Sequence, residues 1–180
     1  MVDADFTQIA YPDTACVDCK VHKGLFATYT FLAETLLPAL QDLATAHPTS
    51  RIFVTGHSMG AAQAGFAFPD VVRKINSNAT KLLINYGSPR LGNPAFAKWL
   101  DEVTEPQHEH YRCTNFGDPI PRMAPRMFKD LGLGDWIHPT REVYWPKGPF
   151  GPVKDYRLCN GTWDREDPTC NDAAPLKDRT

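Results

Sequence analysis

Arg51-Ile52-Phe53-Val54-Thr55-Gly56-His57-Ser58-Met59-Gly60 is the stretch on which the reading of this chain turns. Ile52, Phe53 and Val54 are a short continuous apolar run bounded by Gly, the pattern of a strand buried on both faces. Met59-Gly60-Ala61-Ala62-Gln63-Ala64-Gly65-Phe66-Ala67 follows, Ala-rich and halted by Pro69. It predicts a helix whose small-residue face packs close to a sheet. Gly56-His57-Ser58-Met59-Gly60 therefore lies between strand and helix and fits G-x-S-x-G. With 12 Gly in 180 residues, chance order would give that pattern about 0.02 times.

The motif is the nucleophile elbow of α/β hydrolases when strand and helix flank it. A sharp turn lifts the Ser58 hydroxyl clear of the sheet. Gly56 and Gly60 leave room where the backbone is crowded. The same turn sets Ser58 at a helix N-terminus, so the Met59 N–H can point at a developing oxyanion.

At 180 residues the chain suits one domain with a real core. It is 42% hydrophobic and 22% charged with net charge −2, an ordinary globular composition. No basic excess points to nucleic acid, and no acidic tract to a solvating tail. No apolar run spans a bilayer, and Met1-Val2-Asp3-Ala4-Asp5 lacks the basic and apolar regions of a signal peptide. The five cysteines are Cys16, Cys19, Cys113, Cys159 and Cys170. Cys16-x-x-Cys19 admits a redox pair, half a zinc site or a small disulfide loop, and there is no second C-x-x-C. Asn78-Ala79-Thr80 and Asn160-Gly161-Thr162 are glycosylation sequons. Together with the cysteines they favour an oxidising compartment.

Phe6 to Tyr11 predicts a strand ended by Pro12. From Gly24, Leu25, Tyr29, Leu32, Leu36, Leu40 and Leu43 recur at helical spacing as a buried stripe. Pro38 inside it predicts a kink or break, and Pro48 closes the segment. Lys81 to Gly87 predicts a buried strand, Gly87 to Pro94 a turn-rich loop, Ala95 to Val103 a helix and His110 to Phe116 a strand. Alternating strands and helices imply a mostly parallel sheet, whose ligands bind beyond the carboxyl ends of the strands. The loops after Val54, Ile84 and Phe116 should then share one rim. The last third is rich in Gly, Pro and aromatic residues, with one strand around Glu142 to Trp145. No linker divides the chain, so residues 1–180 read as one domain with a frayed tail at 171–180.

A serine hydroxyl needs a base, and the base an orienting acid. In α/β hydrolases the order is Ser, then Asp or Glu, then His. Asp118 stands directly after a predicted strand, where a rim acid is needed, and of the histidines only His138 follows it. The order Ser58, Asp118, His138 results. His22 and His47 precede the elbow, His57 points wrongly, and His108 and His110 read as solvated neighbours of Glu109. An Asp-Pro turn residue and a surface histidine are the bland alternatives for Asp118 and His138.

Val21-His22-Lys23-Gly24-Leu25-Phe26, Val54 to Gly60, Tyr86-Gly87-Ser88-Pro89-Arg90-Leu91-Gly92-Asn93, Asn115 to Arg122 and His138 to Trp145 resemble, in that order, the fungal class 3 (triacylglycerol lipase-like) α/β hydrolases. The resemblance runs from about Asp5 to Cys170. It implies an α/β-hydrolase fold with a mostly parallel sheet and flanking helices, and the triad Ser58, Asp118 and His138. It also implies an oxyanion N–H from Met59 and disulfides Cys16–Cys19 and Cys159–Cys170, which leaves Cys113 free. Secretion is implied as well. No metal or organic cofactor is demanded.

The family pattern begins before the part that Met1 matches. Its earlier strands, its lid helix and the Arg-Gly-Ser/Thr turn that gives the second oxyanion donor have no counterpart here. The expectation is therefore an N-terminally truncated fold with Met1 an internal start, open apolar surface and weakened turnover, since one oxyanion donor is worth about 10²–10³. Three functions compete. The first is a serine carboxylic ester hydrolase acting on an acylglycerol or a cell-wall ester, with lipid-interface contact. The second is a weak or inactive truncated remnant that binds a partner. The third is another serine hydrolase such as a peptidase. Trp136 reads equally as acyl-site lining or core.

Overall fold

The computed structural model describes residues 6–104, 106–147, 152 and 154–173. A hairpin of β1 (Gln8–Ala10) and β2 (Lys20–His22) leads into α1 (Lys23–Ala46). β3 (Ile52–His57), α2 (Met59–Lys74), β4 (Lys81–Tyr86), α3 (Pro94–Thr104) and β5 (Glu109–Asn115) then alternate, and β6 (Glu142–Trp145) and β7 (Arg157–Leu158) close the order. The sheet runs β3-β4-β5-β6-β7. Its first four strands are parallel and β7 is antiparallel to β6. The mostly parallel sheet with flanking helices is the one the alternation predicts.

Two prolines that were expected to interrupt helices do not. α1 runs unbroken through Pro38 and α2 through Pro69. Pro38 is exposed, so water can satisfy the Glu34 carbonyl that loses its partner. The buried stripe of α1 also differs from the expected one. Leu25, Phe26, Tyr29 and Ala44 are buried, whereas Leu32 and Leu43 are 42% and 58% exposed. The core lies where α1, α2, α3 and the hairpin meet, around Tyr11, Phe26, Tyr29, Phe66, Phe96 and Trp99. The small-residue face of α2 packs as predicted. Ala61 and Ala62 are fully buried, and a Cβ on Gly65 would sit 2.5 Å from Leu91 Cδ1.

Among the described residues the sheet is covered on one side only. In register across it lie His57, Tyr86, Cys113, Val143 and Leu158. Of that row, Tyr86 and Leu158 are 47% and 68% exposed. β3, expected to be buried on both faces, is an edge strand with alternating burial, and Phe53 is 61% exposed on its open face.

Two disulfides, Cys16–Cys19 and Cys159–Cys170, pin the hairpin loop and the segment after β7, and Cys113 is the free thiol. Burial pushes that thiol up, opposed by the Arg112 cation. The tail expected to fray begins instead with a short 3-10 turn, Asn171–Ala173, in which Asn171 is buried. Residues 174–180, the rest of that expectation, lie outside the described residues. No helix among the described residues is long and apolar enough to cross a membrane.

An unpaired edge beside an apolar face invites association. Phe53→Lys should lower the light scattering of the purified chain as its concentration is raised. Because Phe53 is largely exposed, the unfolding free energy should move by no more than about 0.5 kcal/mol. Unchanged scattering would place the association elsewhere.

Candidate active site

Ser58 joins β3 to α2 in a conformation that L-residues avoid, with φ 55° and ψ −123°. Such strain persists only where the surroundings enforce it. The Ser58 N–H donates to Tyr86 O at 3.0 Å, and the Ser58 carbonyl accepts from Ala61 and Ala62 at the head of α2. Ser58 caps α2 without a side-chain bond, so its hydroxyl is not spent on the helix. Met59 is the first residue of α2, and its N–H belongs to the first-turn donors.

The two motif glycines are not equivalent. A Cβ on Gly56 would lie 2.1 Å from Gly60 O, so strand and helix approach too closely for any side chain there. A Cβ on Gly60 meets nothing within 4 Å. Gly60 supplies the crowding carbonyl but does not itself need the room, because its Cα faces outward.

Ser58 and Met59 line an apolar cavity of about 50 Å³ with Phe6, His22, Leu25, Ile120 and Met123 among its walls. His22, set aside by chain order, thus lines the same cavity as Ser58. Its Nδ1 accepts from Leu25 N at 3.4 Å as the N-cap of α1. The loops after β3, β4 and β5 do share one rim. Gly87 N donates to Cys113 O. Gly87 is in the left-handed region at φ +58°, and a Cβ there would meet Asp118 Oδ2 at 2.9 Å and His57 Nε2 at 3.9 Å. Asp118 Oδ1 accepts from Ile120 N at 3.0 Å.

His138 is not joined to Asp118 or Ser58 by any hydrogen bond among the described residues. Its ring is buried, with Nε2 2.8 Å from Pro121 O. A carbonyl only accepts, so Nε2 carries the proton and Nδ1, which has no partner among the described residues, holds the lone pair. Burial, with the Arg112 and Arg90 cations and against the Glu166 anion, holds this imidazole well below the usual histidine range. The Ser58 hydroxyl and a neutral imidazole are therefore both present, with the rim acid three residues from the carbonyl that holds the ring.

Other sequence readings are revised. His110 is buried, with Nε2 2.8 Å from Asp101 Oδ1 and Nδ1 3.2 Å from Thr104 Oγ1, and is not a solvated neighbour of Glu109. Trp136 is fully buried, its indole N–H 3.3 Å from Leu133 O, so it is core. Asn78 and Asn160 are exposed. Arg90 and Glu166 escaped sequence reasoning. Arg90 Nε and Nη2 bond Glu166 at 2.8 and 2.7 Å, and Glu166 Oε1 accepts the His138 backbone N–H at 3.1 Å. Burial would push the Glu166 carboxyl up, but its hydrogen bonds to Arg90, with the Arg90 and Arg112 cations, pull it down to about 2.

Gly56→Ala should cost on the order of 3 kcal/mol or more by overpacking. Gly60→Ala should be neutral or gain about 0.5–1 kcal/mol of helix stability. Urea melts of the two variants check this, and equal losses would refute the asymmetry. The titrating groups give a second expectation. Below the ordinary histidine value of 6.5, the unfolded chain takes a proton that native His138 refuses. Stability then falls with pH by up to about 1.4 kcal/mol per unit. Glu166, at about 2 against 4.5, adds a further loss below 4.5 of the same sign. Urea midpoints across this range should fall toward acid, and His138→Gln should remove the upper part of the slope.

A family model described as Lipase (class 3) matches residues 1–128. A lipase of Rhizopus niveus is 35% identical over 122 residues, 66% of this chain and 30% of that protein. The secreted mono- and diacylglycerol lipase 1 of Fusarium solani is 36% identical over 146 residues, 79% of this chain and 40% of that protein. The solved lipase II from Rhizopus niveus superposes with a TM-score of 0.79 at 26% identity, covering 98% of this chain and 61% of that one. The chain thus spans between 30% and 40% of the length of these two curated relatives. The sheet, its flanking helices and these matches give an α/β-hydrolase fold, and the chain belongs to the class 3 lipase family.

Proposed function

We propose that the chain is a carboxylic ester hydrolase that works through an acyl-enzyme on Ser58, with His138 as base and Asp118 as orienting acid. The observation that carries this reading is the strained Ser58 backbone at φ 55°, which keeps a hydroxyl free of capping and turned to an apolar cavity. In the working state His138 exchanges the Pro121 carbonyl for Asp118, both acceptors lying on the loop after β5. The Ser58 Oγ–H bond then breaks toward the imidazole while Oγ bonds the ester carbon, whose carbonyl electrons move onto oxygen. The Met59 N–H at the head of α2 stabilises that oxygen. Collapse expels the alcohol with the proton from His138. Water, deprotonated by the same imidazole, releases the acid and restores Ser58.

The substrate class follows the relatives. Acylglycerols named for the Fusarium solani protein are the first candidates, and cell-wall esters the second. The exposed apolar residues on the open face suit contact with a lipid interface. The secreted relative, the two disulfides and the two exposed sequons support an extracellular site of action.

Hydrolysis of p-nitrophenyl butyrate by the purified chain should depend on Ser58. Ser58→Ala and His138→Gln should each lose about 10⁴-fold or more in kcat, and combining them should cost little extra, since triad members act as a unit. Asp118→Asn should lose about 10⁴-fold with KM nearly unchanged. Turnover indifferent to Ser58→Ala would sink the reading and leave the elbow without an esterase role.

A further inference from the structure

The cluster behind His138 joins three segments that are distant in sequence. Arg90 leaves the loop after β4 and spends all five of its N–H donors. Nε and Nη2 hold the two Glu166 oxygens, Nη2 also meets Asp172 Oδ1 at 2.8 Å, and Nη1 meets Arg122 O at 3.1 Å and Ala124 O at 3.3 Å. Arg122 and Ala124 sit on the segment that supplies Pro121, the carbonyl holding the His138 ring. Glu166 holds the other end of the same histidine through its backbone N–H. Arg90 is 2% exposed and Glu166 8%. The segment bearing Glu166 is closed by Cys159–Cys170.

A buried ion pair is weak evidence for stability, because desolvation consumes most of the attraction. Spending five donors here makes sense if geometry is the product. The bidentate fork fixes the carboxylate plane, and the carboxylate then fixes where His138 leaves its loop. Resting on the reading of Ser58 as nucleophile and His138 as base, we infer that Glu166, clamped by Arg90, is a positioning residue that sets the backbone and hence the ring of His138. It touches no reacting atom.

The test uses the full chain with Glu166→Gln, Glu166→Asp and Ser58→Ala. Glu166→Gln keeps the shape and leaves Arg90 the Asp172 carboxylate, so the arginine is not stranded. Its kcat for p-nitrophenyl butyrate should fall on the order of 10²-fold, the scale of a small misplacement of a catalytic group, with KM changed by no more than about twofold. The acid limb of its kcat/KM profile should move to lower pH. Of the charged groups facing the ring, Arg90 and Arg112 remain while the anion that favoured the imidazolium is gone. Glu166→Asp keeps the charge but withdraws the carboxylate by one methylene. It should lose kcat with a much smaller change in the acid limb, which a merely structural ion pair would not separate. A Glu166→Gln protein with the wild-type melting midpoint, kcat and acid limb would overturn the inference. If that variant fails to fold, wild-type kcat in Glu166→Asp overturns it equally.

A readout without turnover separates this inference from the reading beneath it. In ¹⁵N-histidine-labelled protein, the His138 ring should show one protonated Nε2 and one bare Nδ1 in the wild type. The two signals should draw together in Glu166→Gln as the ring loses its fixed bond to Pro121. Unchanged ring signals would defeat the positioning role whatever the activity. Turnover that survives Ser58→Ala would defeat the esterase reading and leave the ring signals to decide this one.

Discussion

At one point β3 and α2 come closer than side chains allow. The carbonyl of Gly60 occupies the space a Cβ on Gly56 would need. That contact turns the chain back over the strand within the single residue Ser58 and forces its backbone to φ 55°. The helix that follows must then present small residues to the sheet, and Ala61, Ala62 and Gly65 do so. With α2 fixed, the aromatic core around Phe66 and Phe96 can close over α1 and α3. Strain of this kind costs about 1–3 kcal/mol and persists only because packing on both sides outweighs it.

The opposite end of the sheet is organised by charge rather than by apolar packing. Across its covered face Asn85, Arg112 and Glu142 lie in one row, all nearly buried. Arg112 bonds Pro139 O, and Glu142 bonds Thr114 Oγ1. Arg90 and Glu166 continue this polar layer to the rim. Arg112, Glu142, Arg90 and Glu166 are each bonded within the layer, whereas Asn85 Oδ1 is buried with no hydrogen-bond partner among the described residues. Where its members are satisfied, a buried network specifies one arrangement. The layer lies under His138, so the base candidate rests on a polar, oriented floor rather than on an adaptable apolar one.

The alternation of strands and helices was legible because it depends on local pattern, and so was the elbow, because its spacing is covalent. The prolines misled. Pro38 breaks no helix, since its freed carbonyl is exposed and can turn to water, and α2 runs through Pro69, which is buried with Gly65 four residues before it. The alternation of exposed and covered residues in β3 was invisible because Ile52-Phe53-Val54 is apolar on both sides, and which side meets protein is a tertiary fact. Ser58 and Asp118 reached the rim as their positions after strands predict. The order of residues along the chain singled out His138, but it did not foresee that the ring would bond Pro121 O rather than Asp118. Arg90 lies in one of the motifs that carry the resemblance, but Glu166 is 76 residues away in none of them, so only the folded chain brings them together.

The resting arrangement of His138 reconciles strain with polarity. A buried imidazole kept neutral is a competent base, but its Nε2–H is committed to a carbonyl that cannot return the proton. An acyl transfer needs the ring oriented by an anion that stabilises the imidazolium as it forms, and a carbonyl dipole does this less well than a carboxylate. Pro121 and Asp118 lie three residues apart on the segment after β5, so the proposed exchange is between two acceptors of one short stretch. The backbone is fixed from behind by Glu166. On the proposed reading the ring exchanges Pro121 for Asp118, and the strained serine and the buried ion pair then bear on the same proton.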